Sequence, residues 1–214
     1  MKALDRALTW AWQRQRAYFA VLLGRKRVAL DAYEQLARLN PDDRIALATV
    51  GNMRMELGDA EGAVAAFEAL LARHPRDAES WFNLGYIHEQ ADRAQQAERC
   101  FRQAIALKPT IDRAWYGLAL VLIRTGRLTE AVEALKKNIE LQPFSPYGYY
   151  QLGMTYHHLG QPGEAWRVYE RLKTFEPKYA ATLKRDIEAT VPRGAVGDGS
   201  SIDPTKEEAI LTTH

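Results

Sequence analysis

Side chains of one size and polarity recur along this chain every 34 positions. Ala29, Ala63, Ala97, Ala131 and Ala165 form one small column, and Ala17, Gly51, Gly85, Ala119 and Gly153 form another. Four residues after each alanine stands a bulky apolar residue, Tyr33, Phe67, Phe101, Leu135 or Tyr169, on the same face of a helix. Pro41, Pro75, Pro109, Pro143 and Pro177 close each period, and Gly24, Gly58, Asp92, Gly126 and Gly160 divide it. The pattern predicts two helices per period. The glycine column ends the first, because glycine takes the left-handed conformation favoured at helix C-termini. Proline ends the second by disfavouring helical geometry in the residue before it. Asp43, Asp77 and Ser145 suit N-caps of the following unit, the last with Pro146 at the first helical position. Ile111 breaks that column, with Thr110 or Asp112 as substitutes. Two facing small columns predict close antiparallel packing, with the bulky column filling the space between units.

A fixed period of this length marks a solenoid, in which each unit buries its apolar face only against a neighbour. Five units are expected over residues 1–177, at approximately 10–43, 44–77, 78–111, 112–145 and 146–179, with an N-terminal helical extension. The first is atypical, since Gln13 and Arg16 replace large apolar residues. Residues 178–191 carry a helical pattern with Leu183 and Ile187 one turn apart, but Ile187 fills the small column, so a capping helix is expected there. From Pro192 the composition turns to Pro, Gly, Ser, Asp and Thr, which predicts a disordered tail over 192–214. Its Glu207 to Leu211 run, acidic then apolar, suits docking in a groove of its own or of a neighbouring chain.

Composition changes the picture little. With 47% apolar residues, 26% charged residues and a net charge of +2, the 214-residue chain reads as one elongated soluble array. The longest uncharged apolar run, Ala114 to Ile123, is about half of what a bilayer crossing requires. Asp5, Arg6, Arg14 and Arg16 interrupt any signal core, so a cytoplasmic location is expected. Cys100, the single cysteine, excludes an intramolecular disulfide and a cysteine-based metal site; beside Phe101 it is expected to be half-buried and inert. His157 and His158 are adjacent and point to different helical faces, so they cannot chelate one metal. His88 reads as a packing substitution, and carboxylates such as Asp59, Glu61 and Glu68 as solvated. The glycines recur as helix ends and packing contacts, not as a phosphate loop. No catalytic residue, cofactor or metal is expected.

The columns resemble the tetratricopeptide repeat, whose first helix carries Trp, Leu-Gly and Tyr and whose second carries Ala, Phe and Ala before Pro. The third unit reads Trp81, Leu84-Gly85, Ala97, Phe101, Ala104 and Pro109, with His88 in place of tyrosine. The second has Leu47, Val50-Gly51, Ala63, Phe67 and Pro75, with Arg54 in the tyrosine column. The fourth has Trp115, Leu118-Ala119, Ala131, Leu135 and Pro143, and the fifth Tyr149, Leu152-Gly153, Tyr156, Ala165, Tyr169 and Pro177. The resemblance covers roughly residues 10–177. It implies an all-α, right-handed superhelical solenoid of antiparallel helix pairs whose first helices line a concave groove for partner segments. Carried over by column, the groove takes Asn52 from the second unit and Phe82, Asn83 and Tyr86 from the third. The fourth supplies Arg113, Tyr116, Leu120 and Arg124, and the fifth Tyr147, Tyr150, Met154 and His157.

An exposed aromatic strip of Phe82, Tyr86, Tyr116, Tyr147 and Tyr150 beside Arg113 and Arg124 suits a peptide or amphipathic helix with acidic flanks. It does not fit the lysine and asparagine clamp with which some members hold chaperone C-termini. The implied function is a non-enzymatic protein–protein interaction module: an adaptor, scaffold or assembly factor.

The positive charge is uneven. Residues 1–27 carry Lys2, Arg6, Arg14, Arg16, Arg25, Lys26 and Arg27 against Asp5 alone, interleaved with Trp10, Trp12, Tyr18 and Phe19. Three readings are open for this end: an array cap whose aromatics cover the first unit, a homo-oligomer contact through exposed Trp10 or Trp12, or a surface for anionic lipid or nucleic acid. For the chain as a whole a protein partner is favoured over nucleic acid or membrane.

Overall fold

The computed structural model describes residues 2–190. Eleven α-helices and no strand lie among them: α1 (Lys2–Leu22), α2 (Lys26–Leu39), α3 (Arg44–Glu56), α4 (Ala60–Arg73), α5 (Ala78–Gln90), α6 (Ala94–Leu107), α7 (Asp112–Arg124), α8 (Leu128–Leu141), α9 (Pro146–His158), α10 (Pro162–Lys173) and α11 (Pro177–Thr190). The tail expected to be disordered, with its Glu207 to Leu211 run, lies outside the described residues.

Each odd helix up to α9 is followed, two residues past its end, by a residue with positive φ, Gly24 (66°), Gly58 (79°), Asp92 (57°), Gly126 (76°) or Gly160 (69°). Asp43 and Asp77 cap α3 and α5 by accepting from the amides of Ala46 and Ser80. Ser145 and Ile111 hold the same place before α9 and α7 without a side-chain cap bond. Asp59 is not merely solvated: it caps α4, accepting from the Gly62 amide at 2.9 Å. The last of the five prolines differs from the rest, because Pro177 opens α11 where the others follow the end of a helix.

Each odd helix packs on the even helix after it, and each even helix on the next odd one. In addition α3 touches α5, α5 touches α7, and α9 touches α11, whereas successive even helices have no comparable approach. A stack closer on one side bends toward that side, so the odd helices line the concave face of a right-handed solenoid. The alanine column is fully buried at the crossings, from Ala29 to Ala165. A Cβ on Gly85 would stand 2.9 Å from the Phe101 ring, and one on Gly117 2.5 Å from it, so that ring is wedged between α5 and α7. Three units tie the start of their odd helix to the preceding turn. Trp81 Nε1 donates to the Pro75 carbonyl at 2.9 Å, Trp115 Nε1 to Pro109 at 2.8 Å, and Tyr149 Oη to Pro143 at 3.2 Å.

Candidate functional site: the concave face

The column formed by Ala48, Phe82, Tyr116 and Tyr150 stands where one odd helix meets the next, and that position decides how much of each side chain is left to a ligand. Phe82 departs from the expectation of an exposed aromatic. It is 8% exposed, packs on Phe101 at 6.0 Å between ring centroids, and carries the Arg113 guanidinium 4.7 Å above its ring. The close approach of α5 and α7 over Gly85 and Gly117 draws the ring into the core. Tyr116 is half-buried and hydrogen-bonded to Gln151; burial pushes its phenol above the usual range. Tyr150, also half-buried, donates to Asp186 Oδ2 at 2.8 Å. Burial first, then the Asp186 carboxylate, raises the Tyr150 phenol, and the same bond followed by Arg185 holds Asp186 below the usual carboxylate range.

Side chains one turn after or before this column reach the groove. Tyr86 is 44% exposed on α5 and Tyr147 is 56% exposed on α9, where its ring meets Tyr179 of α11 edge-on at 5.5 Å. Asn83 Nδ2 donates to Asn52 Oδ1 at 3.1 Å, so these two amides link α5 to α3. Arg113 remains exposed and lies 3.8 Å from Glu79, which Lys108 also reaches at 2.8 Å. Arg124, exposed as well, is paired with its neighbours, its guanidinium 2.7 Å from Asp92 and 3.6 Å from Glu89. Leu120, Met154 and His157 line the same helices, each half-buried.

Two contributors were not foreseen, Tyr179 and Asp186. The bulk of Ile187 signalled that α11 closes the array. It did not show that α11 stands where a sixth odd helix would, with Leu183 within 2.6 Å of the Gly153 Cβ position and Tyr179 and Asp186 joined to α9 side chains. On the convex side a cleft of about 760 Å³ lies between α4 and α6, lined by Leu71, Trp81, Leu84, His88 and Cys100 among others. Cys100 is buried rather than half-buried; burial, then Glu68, pushes its thiol up to about 11. Among the described residues no cluster of three His, Cys, Asp or Glu side chains is placed to hold a metal ion. No described helix is long and apolar enough to cross a membrane.

The family described as the cilia and flagella-associated protein 70 middle TPR-like domain matches residues 47–169, more than half of the chain. The chain belongs to this tetratricopeptide-like family. A search among curated proteins finds no match. A crystal structure of MamA protein is similar at 25% identity and a TM-score of 0.73, over 81% of this chain and 94% of that one. MamA from Desulfovibrio magneticus RS-1 aligns at 21% identity and a TM-score of 0.71, over 83% and 96%. YrrB, described as a TPR protein with an unusual peptide-binding site, aligns at 19% identity and a TM-score of 0.69, over 79% and 88%. At that identity the last two likenesses are of fold alone. A tetratricopeptide array is generally a protein-interaction module, and the exposed concave side chains of this one lie on α3, α5, α7 and α9.

Proposed function

We propose that the chain is a non-enzymatic adaptor that holds an apolar segment of a partner protein, with an acidic flank, against the concave face of α5, α7 and α9. The observation that carries this reading is the exposure of Tyr86 and Tyr147 at two places along that face, with the exposed Arg113 on the helix between them. Phe82, Tyr150 and Arg124 support the groove by packing, by the bond to Asp186 and by the Asp92 pair. Asn52, Asn83, Tyr116, Leu120, Met154 and His157 complete the lining. An aromatic side chain that a ligand covers contributes about 1.5–3 kcal/mol before ordering costs, and two such anchors with one cation suit a micromolar peptide, about 8 kcal/mol. The peptide-binding site of YrrB, a protein of the same fold, agrees with this use of the array.

Selection from a displayed random-peptide library tests the reading. Enriched peptides are expected to carry an apolar or aromatic residue next to Asp or Glu. Tyr86→Ala combined with Tyr147→Ala should weaken them at least tenfold, and Arg113→Glu should select against the acidic flank. Equal binding to wild type and both variants, with the helical signal intact, would overturn it.

A further inference from the structure

In every later unit two columns of the odd helix are covered by the even helix of the unit before. One holds Ala46, Ser80, Ala114 and Gly148, all buried; the other holds half-buried Met53 and buried Ile87, Val121 and Thr155. In the first unit the same columns hold Trp12 and Phe19, and no even helix among the described residues covers them. They are 59% and 49% exposed, and Leu8, Leu22 and Leu23 beside them are 61–67% exposed. Trp10 alone among these large residues turns inward, onto Ala17, Ala32 and Leu36. Leu8, Trp12, Gln15, Phe19 and Leu22 follow one another at spacings of four and three, the seam along which one helix packs on another. Arg16 flanks the seam, held by Asp31 at 2.6 Å and stacked on Trp12 at 5.5 Å.

We propose that this seam joins two copies of the chain in a closed two-fold dimer, α1 against α1. Three observations single out a second copy as the occupant. The outward side chains offer on the order of 600 Å² of surface, most of it apolar, given their size and exposure. That is the upper end of the largest patch of a typical monomer, about 300–600 Å², and about three-quarters of the roughly 800 Å² that each partner buries in a standard interface. The seam is also nearly palindromic about Gln15. Antiparallel pairing sets Trp12 of each copy beside Phe19 of the other, and Leu8 beside Leu22 and Leu23. It brings Asp5, the one acidic residue among the basic first 27, to the turn of Arg25, Lys26 and Arg27 of the other copy, where Lys26 also pairs with Glu56 at 2.8 Å.

Head-to-tail stacking is barred at both ends. Trp12 fills the place where Ala, Ser or Gly lets an even helix close in, while α11 turns Leu183 and Ile187 into its own array and shows Lys184, Arg185 and Glu188 to solvent. The association therefore closes at two copies.

Light scattering of the full chain over a concentration series should give twice the chain mass. Trp12→Glu with Phe19→Glu should halve it without changing the circular dichroism, since both side chains are exposed, and Asp5→Lys should shift the half-dimer point to higher concentration. Gln15→Cys, which meets its own copy across the axis, should form a disulfide-linked dimer under mild oxidation, with Cys100 buried and out of reach. A single chain mass at every concentration, an undiminished mass in the double variant, or growth beyond two copies would overturn the proposal. A monomeric wild type that sediments with phosphatidylserine vesicles, but not with phosphatidylcholine ones, would overturn it too and assign the seam to an anionic membrane surface.

Discussion

His88 stands in the tyrosine column of the third unit with its ring buried and its Nδ1 without a hydrogen bond among the described residues. Burial first, then the Arg93 charge, holds its pKa below the ordinary 6.5. A depressed pKa means that the unfolded chain takes up a proton the folded chain refuses. The contribution of neutral His88 is therefore fully present above pH 6.5 and is lost as pH falls below it. His88→Leu should flatten the decline of the urea midpoint between neutral pH and about pH 5; an unchanged slope would place the acid sensitivity elsewhere. The sequence put Arg54, His88, Leu122 and Tyr156 in one column and read His88 as packing, which its burial agrees with. It could not show that Arg54 crosses the column to Glu34 at 2.6 Å and the Gly62 carbonyl at 3.1 Å. Reach depends on which acceptors a neighbouring helix presents. Phe82 illustrates the same limit: its column was legible, but its loss from the groove follows from how closely α5 and α7 approach.

Helices and turns are the scale on which the pattern along the chain says most. The left-handed turns fall at the five positions that divide the periods, because the backbone conformation there is local and glycine, or Asp92, accepts it. The role of the aromatic that opens an odd helix was less legible. Trp81, Trp115 and Tyr149 were legible only as members of one motif column, yet each donates a hydrogen bond to a proline carbonyl six residues earlier and so ties its helix to the preceding turn. Trp115→Phe keeps most of the ring and removes the bond to Pro109. It should cost about 0.5–1.5 kcal/mol in chemical denaturation, while loss of the ring in Trp115→Ala should cost about 3–5 kcal/mol. A Trp115→Phe variant as stable as the wild type would show that the bond is not needed.

In the whole array each unit is held only by its neighbours, so the ends decide where unfolding starts. Removing residues 177–214 takes away α11, uncovering Gly153 and losing the burial of Leu183 and Ile187, about 1.5–3 kcal/mol for each side chain. Hydrogen exchange should then quicken in α9 and α10 first and leave α5 to α8 protected; uniform quickening would mean that the array melts as one body. By itself the sequence determined the period, the helix pairs, the turns and the columns that the stack buries, because these follow from local backbone preference and from contact with the adjacent unit. Only the tertiary structure decided which side chains remain to meet a partner. That choice depends on the spacing between successive odd helices, which took Phe82 into the core, and on α11, which brought Asp186 to Tyr150 and Tyr179 to Tyr147. It depends also on α1, where no even helix among the described residues covers Trp12 and Phe19, so that they face outward from columns that are covered in the later units.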